Sequence, residues 1–478
     1  MYTLFIFLAV CTVSFGNPGL RSRRTGTHRR NALSGDAAHP KRTIDHREAA
    51  ACENGTYVAD IVWMEQGTSP GLNVQVGEDV LTVVFDLGSS PFYVLGANWG
   101  CIDHIYGNIT HYPRSKCGGE ANTTSPGFTF SGGSIIGAGF NSTYAGGLYG
   151  ALGEIGYQEI TLGNLTVPNA ITGIATQVEI ARSGVLSTNG VMGFAFPFLT
   201  SYWRRSELDQ VGELQYVTNI SHYKPVVFQA AADGLVNPIF GYYYDGLGGV
   251  DGTVCGQLTL GAEPNIRSGP YSQDVPVVPY TDETGDPSTH NFAFWNFHID
   301  GLKILHSPDA DPVIFSYLDD DPVDVIPFEG NGTSMRPYIK HTPALDTGTL
   351  YSSIPRDVFD ELTKHIDPAP FVDKYGVLAT ACNATVPDLA VMIAGSDLWF
   401  NRSGIVFPPS WNPEEESCEL AITADDFVGL GSTWLINVVA VHDFSDSERP
   451  VSRFAQRRGD VEDTIAAEMQ TAWCNGGC

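Results

Sequence analysis

The chain has 478 residues, of which 43% are hydrophobic, and it contains 52 glycines and 29 prolines. This length exceeds one ordinary hydrophobic core, so we expect two domains or one large two-lobed domain. The formal net charge is −28, although residues 1–50 hold eight Lys and Arg against three Asp and Glu, so the rest of the chain is strongly acidic. Such an acidic chain would repel phosphate, which excludes nucleic acid as an expected partner.

This acidity has two explanations that the sequence leaves open. A protein that works at low pH tolerates many carboxyl groups, because protonation relieves their mutual repulsion. A soluble secreted protein of no particular pH preference shows the same balance.

The N-terminal segment is apolar over residues 2–15 and gives way to Gly16-Asn17-Pro18-Gly19. Its length suits the apolar region of a signal peptide better than a membrane span, although no basic region precedes it. We therefore predict a signal peptide over residues 1–16. No later apolar run reaches spanning length, and the C-terminus lacks the apolar tail of a lipid-anchor signal. The expected product is secreted and extracellular, without a membrane anchor.

The next segment, residues 17–51, is basic and polar and has no apolar periodicity, which by composition indicates a disordered linker. Cysteines and glycosylation sequons also agree with a secretory route. Without Cys11 of the signal segment, eight of the nine cysteines remain, an even number compatible with disulfides. The Asn-x-Ser/Thr sequons are at Asn54, Asn108, Asn122, Asn141, Asn164, Asn219, Asn331, Asn383 and Asn401.

Short runs of Val, Ile, Thr and Tyr, separated by Gly, Asn and Pro, predict a mostly β protein. Residues 57–63 and 72–76 alternate as strands do, and so does the segment 294–304, where His298 is expected to be a strand residue and not a catalyst. Helical periodicity is rare, and it is clearest over residues 356–365, with Pro355 in the first turn.

Two segments of the chain repeat one pattern, an apolar strand that ends in an aspartate and is followed by a glycine turn. The first is Val83-Val84-Phe85-Asp86-Leu87-Gly88-Ser89, and the second is Ala344-Leu345-Asp346-Thr347-Gly348-Thr349. A glycine-containing apolar element follows each, at residues 190–197 and 428–435. This repeat predicts two similar lobes that each supply one carboxylate to a shared site. Two carboxylates that share a proton perform acid and base chemistry together.

No glycine-lysine phosphate loop, H-E-x-x-H or C-x-x-C motif occurs in the sequence. The sequence therefore indicates no nucleotide site and no metal site, and we expect no cofactor.

The two aspartate segments resemble the paired D-T-G-[ST] motifs of pepsin-like aspartic proteases, with Leu87 in the place of the first threonine. The resemblance extends over about residues 52–455. It implies a two-lobed fold with a cleft between the lobes and a secreted acid endopeptidase that acts on peptide or protein substrates as a monomer. It also implies a propeptide over 17–51, an N-terminal lobe over 52–235, a C-terminal lobe over 236–455 and a tail over 456–478, with the mature chain starting between Thr43 and Cys52.

The resemblance assigns roles to individual residues. Asp86 and Asp346 are the expected catalytic pair. Ser89 and Thr349 are expected to hydrogen-bond the outer carboxylate oxygens, and Thr347 the opposite loop.

The resemblance also implies a lid and two disulfides. Residues 140–147 correspond to the flap hairpin, with Tyr144 as the flap tyrosine and Tyr93 where the family has a bracing tryptophan. The implied disulfides are Cys101–Cys117 and Cys382–Cys418. Among Cys52, Cys255, Cys474 and Cys478, three pairings stay open.

Two other functions remain under consideration. Leu87, Tyr93 and Ala145 depart from the family pattern in the first lobe, so a catalytically weakened or inactive homologue that binds peptides in its cleft is the main alternative. A carbohydrate-active β protein that uses Asp86 and Asp346 as acid and nucleophile is a third hypothesis, which the turn glycines and the order of the repeats disfavour.

Overall fold

The computed structural model describes residues 55–457, except 66, 104–109, 115–116, 118–122, 145–148, 180–188, 206–215, 219–222, 248, 267, 280–291, 319–324, 327–337, 340–341, 374–376 and 408–416. The predicted signal peptide, the propeptide and all of the tail beyond residue 457 lie outside the described residues.

The described part of the chain is mostly β, as predicted. The strands before residue 300 are β1 (Tyr57–Met64), β2 (Ser69–Val76), β3 (Asp79–Asp86), β4 (Phe92–Asp103), β5 (Thr110–Tyr112), β6 (Ser134–Tyr144), β7 (Tyr149–Leu162), β8 (Leu165–Glu179), β9 (Gly190–Gly193), β10 (Tyr202–Arg205), β11 (Tyr216–Thr218), β12 (Ile239–Tyr244), β13 (Val254–Leu260), β14 (Ser268–Tyr271) and β15 (Val275–Pro276).

The later strands are shorter. They are β16 (Gly301–Leu305), β17 (Val313–Ser316), β18 (Val325–Ile326), β19 (Tyr338–Ile339), β20 (Ala344–Leu345), β21 (Ser352–Pro355), β22 (Phe371–Val372), β23 (Leu378–Ala381), β24 (Asp388–Ile393), β25 (Ser396–Trp399), β26 (Val406–Phe407), β27 (Ser417–Leu420), β28 (Ile422–Asp425), β29 (Gly429–Leu430), β30 (Val438–Asp443) and β31 (Val451–Arg457). The helices are α1 (Val226–Ala232), α2 (Arg356–Lys364) and α3 (Ser432–Leu435), with 3₁₀ turns at Pro197–Leu199 and Arg402–Gly404.

One large sheet connects the two halves of the chain. Strand β12 pairs antiparallel with β13 on one side and with β30 on the other, and β13 in turn pairs with β1. Strands from before and after residue 235 therefore hydrogen-bond within a single sheet. Other strands of the second half form smaller sheets, among them β17-β16-β24-β25 and β20-β29-β21-β28. The lobe boundary at residue 235 stays a prediction.

A continuous apolar cluster lies beneath both aspartate segments. Phe85 and Leu87 enter it from the first half, and Leu345 and Leu430 enter it from the second, all of them 0% exposed. Trp295 lies in the same cluster, and its indole Nε1 donates to Phe194 O at 2.9 Å. Both aspartate segments therefore pack on one continuous hydrophobic core.

Helix α2 confirms the helical prediction, although Pro355 ends β21 and occupies the N-cap position one residue before the helix. The prediction for residues 294–304 was partly wrong. Burial alternates as expected, but the strand begins only at Gly301, and His298 lies in an extended segment where it is exposed. Residues 301–304 pair with β17 and β24 as part of β16, whereas the part before Gly301 makes an isolated bridge from Asn296 to Ala344.

Candidate active site

Both predicted aspartates lie at the end of a strand that pairs in parallel with a glycine-containing strand. Asp86 is the last residue of β3, opposite Gly193 of β9, and Asp346 follows β20, which pairs with β29. The main chain repeats the arrangement, because Phe194 N donates to Asp86 O at 2.7 Å and Asp346 N donates to Leu430 O at 3.1 Å. The internal repeat seen in the sequence is therefore also a repeat in three dimensions.

The two turn glycines let the carboxyl groups approach each other. A Cβ added to Gly88 would lie 2.6 Å from Cγ of Asp346, and one added to Gly348 would lie 2.8 Å from Oδ1 of Asp86. Each turn therefore needs glycine because the opposite aspartate occupies the space of a side chain. The same Cβ on Gly348 would lie 3.2 Å from Oδ1 of Asp346, so the two carboxyl groups border the same point. The structure brings together two residues 260 positions apart.

The turns hold the carboxylate oxygens with their own donors. Gly88 N donates to Oδ1 of Asp86 at 2.7 Å, and Gly348 N donates to Oδ1 of Asp346 at 2.9 Å. The Ser89 hydroxyl donates to Oδ2 of Asp86, as the sequence predicts. Thr349 donates its main-chain N–H to the carbonyl oxygen of Asp346 at 3.4 Å, and the predicted bond from its hydroxyl to the carboxylate stays a prediction. The two oxygens of Asp86 are thereby fixed in direction.

Thr347 connects the second turn to the first. Its hydroxyl donates to Phe85 O and accepts from Leu87 N at 2.9 Å, and the residue is 0% exposed. Leu87 has no hydroxyl with which to return this contact. Its side chain is instead fully buried in the apolar cluster, so hydrophobic contacts replace the hydroxyl that a threonine would have at this position. The second turn therefore makes hydroxyl hydrogen bonds to the first turn, and Leu87 cannot make the equivalent bonds in return.

Burial governs the protonation of the pair. Asp86 and Asp346 are 2% and 1% exposed. Desolvation raises the pKa of Asp86, and the hydrogen bonds from Ser89, Gly88 and Asp346 oppose this rise. Two buried carboxyls this close do not both ionise readily, because each charge disfavours the other.

The predicted flap hairpin is present as β6 and β7, in which Tyr144 pairs with Tyr149. Residues 145–148, including Ala145, lie outside the described residues. The ring of Tyr144 is 1% exposed and its centroid lies 6.4 Å from that of Tyr93, which stacks on Phe140. The structure thus brings Tyr93 and Tyr144 together in a buried aromatic group.

Several residues that support the aspartate turns were not predicted. The hydroxyls of Tyr202 and Tyr223 donate to Phe92 O and Ser90 O, just after the first turn. In the second half, Tyr244 donates to Ser432 Oγ at 3.1 Å. No local motif marks these tyrosines, because each reaches its partner across more than a hundred residues.

Glu419 is another residue that the sequence did not reveal. It is 2% exposed, and its Oε2 accepts from the hydroxyl of Tyr351 at 2.7 Å. Tyr351 lies two residues after Thr349, and its carbonyl fills the space beside Gly431. Burial raises the pKa of Glu419 from 4.5 to about 7. A protonated carboxyl therefore supports the segment after the second turn at acidic pH.

Replacing Glu419 with glutamine is expected to flatten the pH dependence of stability. Between pH 4.5 and about 7 the folded chain keeps a proton that the unfolded chain loses, so the free energy of unfolding falls as pH rises, by at most roughly 3 kcal/mol. Glu419→Gln removes this contribution. Urea denaturation at both pH values measures it, with the exposed Glu448→Gln as control. If the free energy of unfolding changed equally with pH in the wild type and in Glu419→Gln, the prediction would be contradicted.

The two predicted disulfides, Cys101–Cys117 and Cys382–Cys418, are both present, with Cα–Cα distances of 5.7 and 4.8 Å. Among the described residues, Cys255 is buried and has no disulfide partner, and its pairing stays open.

The predicted glycosylation sites are only partly described. Asn141, Asn383 and Asn401 are exposed and Asn164 is half-buried. The sequons at Asn54, Asn108, Asn122 and Asn219 and at Asn331, like Cys52, Cys474 and Cys478, lie outside the described residues. Glycosylation stays a prediction.

No helix in the described ranges is long and apolar enough to cross a membrane.

Comparisons with known proteins agree with the geometry. The family model of eukaryotic aspartyl proteases matches residues 71–454. A protein of Aspergillus fumigatus, described as a probable aspartic-type endopeptidase, is 28% identical over 401 residues, which cover 82% of this chain and 80% of the relative. The crystal structure of an aspartic proteinase from Irpex lacteus is similar with a TM-score of 0.54 and 17% identity, over 84% of this chain and 97% of that one.

At that identity the structural likeness concerns the fold alone, and it confirms the predicted two-lobed, mostly β architecture. The family match covers most of the chain and confirms the predicted resemblance. The chain therefore belongs to the eukaryotic aspartyl protease family.

Proposed function

We propose that this protein is an endopeptidase that hydrolyses peptide bonds with Asp86 and Asp346 as its catalytic pair. The observation that carries the proposal is the close approach of the two carboxyls around Gly88 and Gly348, each supplied by a separate half of the chain. The family membership supports a peptide or protein substrate. The reaction needs no covalent enzyme intermediate.

In the proposed mechanism the pair holds one proton. The ionised carboxyl takes a proton from a water molecule that lies between the two groups, and the oxygen of that water attacks the peptide carbonyl. The protonated carboxyl donates its proton to the carbonyl oxygen, which gives a tetrahedral gem-diol. Collapse of the gem-diol breaks the C–N bond: the amine leaves with a proton from the pair, and a gem-diol hydroxyl returns its proton to the pair as the new carboxyl group forms. The donors of Gly88, Ser89 and Gly348 keep the oxygens in place throughout.

Burial of the pair supports an acidic working range. Because desolvation raises the pKa of Asp86, the singly protonated pair persists to a higher pH than an exposed aspartate would allow. The acidic composition of the chain agrees with this range.

We also propose a secretory route. The apolar segment 2–15, the nine sequons and the two disulfides support folding in an oxidising compartment. The basic segment 17–51 is then a propeptide that covers the acidic body before processing. The N-terminal residue of the mature protein, determined from secreted material, tests both points.

Digestion of denatured haemoglobin or casein at acidic pH tests the proposed activity. We expect cleavage that a statine-type transition-state analogue blocks. Absence of cleavage by correctly processed protein, together with retained peptide binding, would support the inactive homologue instead.

A further inference from the structure

A cluster of two histidines and one glutamate lies apart from the aspartate turns. His306 directly follows β16, while Glu361 lies in the last turns of α2 and His365 follows that helix, four positions further on. One ligand atom from each of the three residues lies within 4.8 Å of the others. Motif scanning did not reveal this group, because His306 is far from the other two in the chain.

The distances within the cluster suit a small divalent cation. Nε2 of His306 lies 3.4 Å from Oε1 of Glu361, and Nε2 of His365 lies 3.1 Å from the same oxygen. In a tetrahedral zinc site with metal–ligand bonds of 2.0–2.1 Å, neighbouring ligand atoms are roughly 3.3–3.4 Å apart. Two of the three spacings are therefore close to those between neighbouring corners of such a site, and the third, between a nitrogen of each histidine, is within 4.8 Å.

The three side chains pack closely against one another. The two imidazole rings stack with centroids 3.7 Å apart. Lys364 Nζ lies 3.3 Å from Oε2 of Glu361, so the lysine takes one carboxylate oxygen and Oε1 faces the histidines. The three side chains are 21–34% exposed, which leaves room for water as a fourth ligand.

We propose that His306, Glu361 and His365 bind one Zn²⁺ ion per chain. Two imidazole nitrogens, one carboxylate oxygen and a water form a ligand set that zinc accepts. The ion would tie the end of β16 to the end of α2. Because α2 continues directly from β21, the strand after the second aspartate turn, the site stabilises that part of the fold. The site does not depend on the proposed proteolytic function.

Titration of the chelator-treated full-length protein with Zn²⁺ alone at pH 7 tests this proposal. We expect one Zn²⁺ per chain, with at least about 10-fold weaker binding in His306→Ala and in His365→Ala. His111→Ala, which replaces an exposed histidine on β5, is the matched control and keeps the wild-type affinity. Zn²⁺ should also raise the unfolding temperature of the wild type and of His111→Ala by a few degrees, and leave that of His306→Ala unchanged.

Two further measurements protect the test against misfolded variants. The first is Zn²⁺ titration of Glu361→Gln, which keeps the shape of the side chain and weakens the carboxylate ligand. The second is the visible spectrum of Co²⁺ added to the wild type, which reports four-coordinate binding without any substitution. Absence of stoichiometric Zn²⁺ binding, or equal affinity in all the variants, would overturn the proposal and leave a hydrogen-bonded cluster around Glu361.

Discussion

Substitution of Asp86 or Asp346 by asparagine is expected to lower kcat/KM at acidic pH by about 10³- to 10⁴-fold. An asparagine cannot share a proton with the remaining carboxyl, so the pair can no longer take a proton from water and donate one to the carbonyl. The replacement is nearly isosteric, and its amide oxygen still accepts from the N–H of Gly88 or Gly348. The loss should therefore appear in kcat and not in the fold.

Stability separates this result from simple unfolding. Burial raises the pKa of Asp86, so ionisation of this group at neutral pH lowers the free energy of unfolding. Asp86→Asn should consequently unfold in urea at pH 7 at a concentration no lower than the wild type. Asp233→Asn, which changes an exposed aspartate after α1, serves as the control for both measurements. Either dyad variant retaining half of the wild-type activity would refute the assignment of the pair.

The sequence predicted the centre of the site well because the relevant information is local and occurs twice. An apolar strand, an aspartate and a glycine turn are sequence neighbours, and their recurrence at Asp86 and Asp346 predicted a shared site before any coordinates. Gly88 and Gly348 illustrate the physical basis, since each glycine leaves space for the opposite aspartate.

The supporting residues could not be predicted in the same way. Tyr202 and Tyr223 reach the main chain after the first turn across 110 and 133 residues, and Glu419 reaches Tyr351 across 68. A buried tyrosine has the same local pattern whether its hydroxyl meets a carbonyl of the active-site loop or another group. Only the folded positions of the strands decide which partner it meets.

Leu87 illustrates how a departure from a motif can be absorbed. Judged from sequence, the loss of a threonine hydroxyl left a buried polar contact unmade. In the fold, the Leu87 side chain packs in the apolar cluster while its N–H is taken by Thr347. The polar connection between the two turns consequently depends on the hydroxyl of Thr347. We therefore expect substitution of Thr347 to have a larger effect than substitution of Leu87 on this connection.

Thr347→Val is accordingly expected to destabilise the protein and to misalign the pair. Valine preserves the volume but leaves Leu87 N–H and Phe85 C=O without the hydroxyl that joins them, at a cost of about 1–3 kcal/mol for each buried group left unsatisfied. Urea denaturation and kcat at acidic pH measure the two effects. Thr161→Val removes a hydroxyl that bonds Thr166 in an exposed pair, where water can replace the partner, and should change neither quantity appreciably. If Thr347→Val matched Thr161→Val in both measurements, the two turns would have to be held together by packing alone.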